Sequence, residues 1–254
     1  MEENEPRPMH YLLISGASSG IGREIAIQLS GKYRIILCGR DEKRLEEALG
    51  SCKDPSEHRI WRCDFSNAEN VGVSLANFIA ETGIRVFSFI NCAALLKILP
   101  HRSIDTKLFR EVLEVNLVSA NEIILVLMKK KINENCLRSI VFISSIASQF
   151  GARGFSAYCA SKGAIDALMK ALAVEFAPNV RANSILPGGI RTSMTEKIFD
   201  DSEMVEKFNK DYPLGIGEPN DIVNMVEYLI SDKAKWITGQ QLIVDGGRTA
   251  NITA

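Results

Sequence analysis

The sequence predicts an α/β protein: a single domain on a doubly wound parallel sheet of about seven strands, with helices on both faces. Three observations carry this. Short β-rich runs alternate with longer helical patterns along the chain. Several of those runs are apolar on both faces, as a sheet covered on each side by helices requires. The first run leads directly into a turn that carries three glycines.

The strands expected in order are "YLLIS" (11–15), "RIILC" (34–38), "RIWRC" (59–63), "VFSFIN" (86–91), "SIVFIS" (139–144), "RANSIL" (181–186) and "QLIVD" (241–245). Helical stretches fall between them near 20–31, 41–50, 67–82, 104–131, 155–177 and 220–231. The first follows the glycine turn. The second, "EKRLEEAL", begins right after Asp41, which could serve a ribose 2′-OH or cap this helix; the cap is the preferred reading, because the helical pattern starts at once after it. The fourth is a good helical pattern with Asn116 inside it, a mediocre helix-interior residue. It ends in Lys129, Lys130 and Lys131, where cations complement the helix dipole. The segment 188–218 breaks the alternation. It is polar, helical in parts, bounded by "PGG" and "PLGIGEP", and reads as a lid or an insertion.

Composition narrows the function classes. A chain of 254 residues with 46% hydrophobic content suits one large domain with a sizeable core. Residues 1–8 read as a loose tail and 9–254 as the domain. A net charge of −1 provides no global field for nucleic acid or an anionic membrane. The six cysteines are scattered without a CxxC pair, and only three histidines are present, so neither a metal site nor a disulfide framework is expected. The start, "MEENEPRPMHY", lacks the basic and apolar regions of a signal peptide. Apolar runs such as "IILVLM" (123–128) are too short to span a bilayer. A cytoplasmic protein with reduced thiols is the expectation.

The turn "SGASSGIGREIAIQL" sets Gly16, Gly20 and Gly22 between strand and helix, in the spacing G-x-x-x-G-x-G. Absent Cβ atoms let backbone approach a pyrophosphate at a helix N-terminus, and Ser18 and Ser19 add hydroxyl donors. The end of the second strand selects the cofactor. An acid there bonds a ribose 2′-OH, whereas an arginine accommodates a 2′-phosphate. In "LCGRDEKRL" Gly39 stands where the acid is sought and Arg40 follows, so NADP(H) is favoured over NAD(H). Asp64, at the end of the third strand, is either an adenine contact or the N-cap of the next helix.

In "SAYCASKGAIDAL" (156–168), Tyr158 and Lys162 stand four apart and share a helix face. Such a pair is weak evidence alone. Here the strand "SIVFISSIAS" ends in Ser144 and Ser145, thirteen residues before Tyr158, and strand C-termini are where open α/β sheets place ligands.

These residues, with Asn116, "LPGGIRT" (186–192) and "ITGQQLIVDGG" (237–247), resemble the short-chain dehydrogenase/reductase superfamily over residues 10–247, nearest its 3-oxoacyl-(acyl carrier protein) reductase-like members. The resemblance implies a Rossmann-type fold and an NAD(P)-dependent oxidoreductase interconverting a carbonyl and a secondary alcohol. It implies that Tyr158 is the general acid or base and that Lys162 lowers the phenol pKa and holds the nicotinamide ribose. Ser145 orients the substrate oxygen, and Asn116 positions a water that links Lys162 to solvent. Ala157, Ala160 and Ser161 leave room for cofactor beside the pair. Cofactor contacts are implied for Gly16, Ser18, Ser19, Gly20, Ile21, Gly22, Arg40, Asp64, Asn91, Ala93, Tyr158, Lys162, Pro187, Gly188, Ile190 and Thr192. The implied partners are a small carbonyl or alcohol substrate, acyl thioesters among the candidates, and further copies of the chain, as a homotetramer or homodimer through helices 104–131 and 155–177. The pocket walls would include Leu95, Leu96, Phe150, Phe155, Met194, Ile198 and Phe199. The chain departs from the family after its fourth strand, where Asn-Asn-Ala-Gly becomes Asn91-Cys92-Ala93-Ala94. Alternatives are an NAD-linked alcohol dehydrogenase, a nucleotide sensor without turnover, and a sugar-nucleotide epimerase or dehydratase, for whose substrate domain 254 residues leave little room.

Overall fold

The computed structural model describes residues 10–196 and 202–251; the expected tail, residues 1–8, and the pocket residues Ile198 and Phe199 lie outside them. The strands are β1 Tyr11–Ser15, β2 Arg34–Gly39, β3 Arg59–Arg62, β4 Val86–Asn91, β5 Ser139–Ile143, β6 Arg181–Pro187 and β7 Gln241–Val244. All pair in parallel, in the spatial order β3-β2-β1-β4-β5-β6-β7. Each strand boundary falls within one residue of the run read from the sequence.

The helices are α1 Gly20–Leu29, α2 Glu42–Gly50, α3 Ala68–Thr82, α4 Thr106–Leu113, α5 Ser119–Leu127, α6 Lys130–Asn133, α7 Ser156–Glu175, α8 Ser202–Asp211 and α9 Asn220–Ile230. Alternation along each strand sends successive side chains to opposite faces. Thus Leu12 and Ile14 pack with Ile25 and Leu29 of α1 and Val226 of α9, whereas Leu13 faces Leu75 of α3, Ile124 of α5 and Met169 of α7. The inner strands β1, β2, β4, β5 and β6 are apolar on both faces because both faces are core. Phe89 and Phe142 are fully buried, and each contributes about 1.5–3 kcal/mol relative to an exposed ring.

One element departs from expectation. The helix expected over 104–131 is interrupted: Glu114–Val118 forms a π-turn between α4 and α5, and Lys130 and Lys131 lie in the separate, short α6. The widened turn contains Asn116, which is fully buried and hydrogen-bonded to the backbone of Leu95. A side chain tied outside the helix displaces the regular ladder locally, and such single π-turns concentrate at functional sites. Among the described residues no helix is long and apolar enough to cross a membrane.

Candidate active site

In this strand order β1 lies between β2 and β4, and the direction of winding reverses between β1 and β4. The connections leaving these strands diverge there, which opens a crevice at their C-terminal ends. A cleft of about 380 Å³ occupies that place. Gly16, Ser18, Ser19, Gly20, Ile21 and Gly22 line it from the first turn, Arg40 from the end of β2, and Asp64 from beyond β3. Ala93 lines it from beyond β4, Ser145 from beyond β5, Tyr158 and Lys162 from α7, and Pro187, Gly188, Ile190 and Thr192 from the end of β6 onward.

The glycine turn is shaped by close backbone approach. Gly16 has φ +69°, and a Cβ there would stand 2.9 Å from the amide nitrogen of Ala93. A Cβ on Gly22 would meet the carbonyl oxygen of Gly16 at 2.5 Å. Ser19 precedes α1 without capping it through its side chain, and the first turn of α1 holds no acidic residue. The helix N-terminus therefore presents its backbone N–H groups and partial positive charge unneutralised, a suitable seat for phosphate.

At the end of β2, Asp41 caps α2 by accepting a hydrogen bond from the backbone of Arg44 at 3.1 Å, as the sequence predicted. Arg40 is exposed on the cleft wall. Gly39 leaves space beside it for Ser18, whose Oγ lies 3.4 Å from where a Cβ would project. Of the two roles open to Asp64, helix capping is not the one realised: its Oδ1 accepts from the backbone of Ser66 at 3.0 Å. The first N–H of α3, on Ala68, donates instead to Glu114 at 3.0 Å. The backbone hydrogen bond from Ser66 holds the Asp64 carboxyl below its ordinary range.

Asn91 and Asn116 stand behind the cleft wall rather than on it. The Asn91 side-chain oxygen accepts from Ser15 Oγ at 2.8 Å, and that same hydroxyl accepts from the backbone of Cys92 and Ala93, each at 3.2 Å. Ser15 thereby fixes the turn after β4 against the end of β1, a role the sequence reading missed because a serine inside an apolar strand carries no pattern of its own. Asn116 donates to Ser161 Oγ at 2.9 Å, and Ser161 donates to the carbonyl of Tyr158 at 2.8 Å. Ala157 and Ser161 are thus buried packing and bonding positions, and Ala160 is exposed. None of the three is among the residues that line the cleft.

Lys162 is 2% exposed and donates to the carbonyl oxygen of Ile143 at 2.8 Å. Its Nζ lies 5.6 Å from the centroid of the Tyr158 ring. Burial pulls the ammonium down to about 8, with the charge of Asp166 acting the other way. The phenol of Tyr158 is pushed up to about 12 by burial, opposed by a hydrogen bond with Ser145. This differs from the expected lowering by Lys162: the ammonium is held at the Ile143 carbonyl rather than at the phenol oxygen. Ser145 also accepts from the backbone of Ala147 at 3.1 Å, which orients its hydroxyl.

Of the expected pocket walls, Leu95 and Met194 line the cleft. Phe155 packs edge-on to Tyr158 at 6.2 Å, and Phe150 is exposed. Arg44, Glu111, Val115 and Thr195 line the cleft without having been singled out. Ala94 lines it too, with no left-handed backbone to demand the family's glycine. The segment after β6 is closed on itself by a bridge between Ile190 and Gly217 and by Tyr212, whose hydroxyl accepts from the backbone of Gly189 at 3.0 Å.

Fold and cleft together define a doubly wound α/β protein whose polar side chains converge at the switch point. Residues 16–249 match the family model described as enoyl-(acyl carrier protein) reductase. A 3-oxoacyl-(acyl-carrier-protein) reductase of Rickettsia bellii is 35% identical over 240 residues, covering 92% of this chain and 95% of its own. A 4-hydroxyisoleucine dehydrogenase solved with NADH superposes with a TM-score of 0.88 at 32% identity, covering 95% of this chain and 99% of that one. An actinorhodin polyketide ketoreductase variant solved with NADPH gives a TM-score of 0.85 at 26% identity, over 95% and 98% of the two chains. The chain belongs to this family and, with it, to the short-chain dehydrogenase/reductase oxidoreductases.

Proposed function

We propose that this oxidoreductase uses NADP(H) to interconvert a carbonyl and a secondary alcohol, with Tyr158 as the proton-transferring residue. The observation that carries the reading is the convergence on one cleft of the glycine turn, Arg40, Ser145, Tyr158 and Lys162. The residues suit a dinucleotide: a Cβ would fill the cradle at Gly16 and Gly22, and the uncapped α1 N-terminus attracts phosphate. The bound nicotinamide supplies or accepts the hydride.

This chain's residues do the rest. The glycine turn and α1 bind the pyrophosphate. Arg40 pairs with a 2′-phosphate, a reading supported by Asp41 being engaged in capping α2. Asp64 accepts from the adenine edge, while Ala93, Pro187, Gly188, Ile190 and Thr192 pack along the dinucleotide, and Asn91 holds the Ala93 turn from behind. Ser145 orients the substrate oxygen beside Tyr158. The phenol, pushed up by burial, is protonated at neutral pH, the form that can donate to a carbonyl oxygen as hydride arrives. Lys162 positions the ribose and supplies positive charge behind the phenol, and Asn116 supports the path by which Lys162 is reprotonated. The segment 188–218 acts as the lid. Leu125 on α5 and Val174 on α7, both exposed and apolar, support assembly into a homodimer or homotetramer through those helices. Six free thiols fit a reducing, cytoplasmic compartment.

Tyr158→Phe tests the assignment. Reduction of 3-oxoacyl thioesters and simple ketones should fall by about 100-fold or more, the scale of lost general-acid catalysis. NADPH binding, read by nicotinamide fluorescence, should persist. Undiminished turnover in the variant would remove Tyr158 from the chemistry.

A further inference from the structure

Tyr158, Lys162 and Asp166 recur every fourth residue along α7 and therefore share one face of it. The first two belong to the cleft; the third has no assigned part. Asp166 is 3% exposed, as deeply buried as Lys162. Its Oδ2 accepts a hydrogen bond from the side-chain amide of Gln241 at 2.8 Å. Its Oδ1 is buried without a hydrogen-bond partner, and so is the hydroxyl of Ser184. Ser184 and Gln241 are register partners on β6 and β7, so their side chains leave the same face of the sheet. That face is the one α7 covers, since Ala182, two residues before Ser184, packs in the same cluster as Ile165 and Met169. A carboxylate, a hydroxyl and an amide thus lie together in the layer beneath α7. A buried carboxylate with one unpaired oxygen is costly unless an opposite charge compensates it, and the cation one helical turn away is Lys162.

We propose that Asp166, held by Gln241 beside Ser184, is a positioning residue for Lys162: it keeps the ammonium charged and aligned behind Tyr158. This rests on the reading of Lys162 as part of the reactive site. Among the described residues, the groups facing Lys162 from the surrounding elements are few. On α7 they are Tyr158 and Asp166. The end of β4 offers the thiol of Cys92, pushed up to about 12 by burial and therefore neutral. The end of β5 offers the Ile143 carbonyl. Asp166 is the negative charge among them, and its field on Lys162 opposes the burial that draws the ammonium down.

The experiment is an NMR titration of the lysine side chains in isotopically labelled protein, with the Lys162 signal assigned by its loss in Lys162→Arg. Asp166→Asn should lower the Lys162 midpoint by roughly one pH unit, the order of shift that loss of a nearby buried opposite charge produces. Gln241→Leu, which leaves the carboxylate but frees it, should lower the midpoint by less and serves if Asp166→Asn does not fold. In turnover, the alkaline limb of the pH profile should move down with the midpoint, a change that a purely structural role would not produce. A Lys162 midpoint unmoved in the folded variants overturns the proposal. Absence of turnover in the wild-type protein would instead count against the assigned reaction, and the titration would still decide the Asp166 role.

Discussion

Asn116 and Leu95 exchange two hydrogen bonds: the Asn116 side-chain oxygen accepts from the Leu95 amide at 2.6 Å, and its nitrogen donates to the Leu95 carbonyl at 3.1 Å. The pair welds the π-turn to the loop beyond β4. Leu95 is a wall of the cleft, so a fully buried side chain outside the cleft sets part of its shape.

Asn116→Ala should therefore destabilise the fold and loosen the wall together. Two backbone partners lose a neutral hydrogen bond and become unsatisfied, and Ser161 loses its donor. A loss of about 2–4 kcal/mol in urea unfolding is expected at the roughly 1–3 kcal/mol that each orphaned buried group costs. Stability equal to wild type would mean that the loop finds other partners.

Gly16→Ala probes the cradle. The added methyl would lie 2.9 Å from the Ala93 amide nitrogen on a residue held at φ +69°. Both the clash and the left-handed backbone oppose it, and a cost of about 2–3 kcal/mol follows, with dinucleotide binding lost before the fold. Thermal unfolding with and without NADPH measures both parts; a variant that still gains stability from NADPH would contradict the close approach.

Arg40→Ala separates the two cofactors. A charge-assisted contact to a 2′-phosphate is worth about 1.5–3 kcal/mol, so NADPH should weaken by roughly 10- to 100-fold. NADH, which lacks that phosphate, should change little. Equal effects on both in a fluorescence titration would move the selection of cofactor away from Arg40.

Lys162 also leaves a mark on stability against pH. Its folded value, about 8, lies below the ordinary 10.5, so between these pH values the unfolded chain binds more protons than the folded one. Stability contributed by this group therefore rises with pH across that window, by at most about 3 kcal/mol. The difference in unfolding free energy between wild type and Lys162→Met, followed from pH 7 to 10.5 by denaturant titration, should climb in favour of wild type. A flat difference would show that the amine is not buried as described.

Much of this molecule was legible in its sequence because the signals are local. Strand runs such as "SIVFIS" declare themselves by apolar residues on both faces, and Asp41 declares a helix start by its position before "EKRLEEAL". The glycine spacing and the Tyr158–Lys162 pair are likewise short-range patterns, and the cleft gathers both. What was not legible depends on contacts across tens of residues. The π-turn at Glu114–Val118 arises because Asn116 bonds to Leu95, twenty-one positions away, and no helical pattern records that. Asp64 and Glu114 present similar carboxylates, yet the second caps α3 from forty-six positions away while the first closes its own turn.

The sequence by itself determined the alternation of strand and helix, the glycine turn and the identity of the side chains at the cleft, since periodicity and residue chemistry are properties of neighbours along the chain. Only the tertiary structure decided that Lys162 rests on the Ile143 carbonyl, that burial lifts the Tyr158 phenol, and that Asp166 stands buried on Gln241. The reason is physical: desolvation and charge act through space, and their strength is set by which distant segments exclude water from the same place.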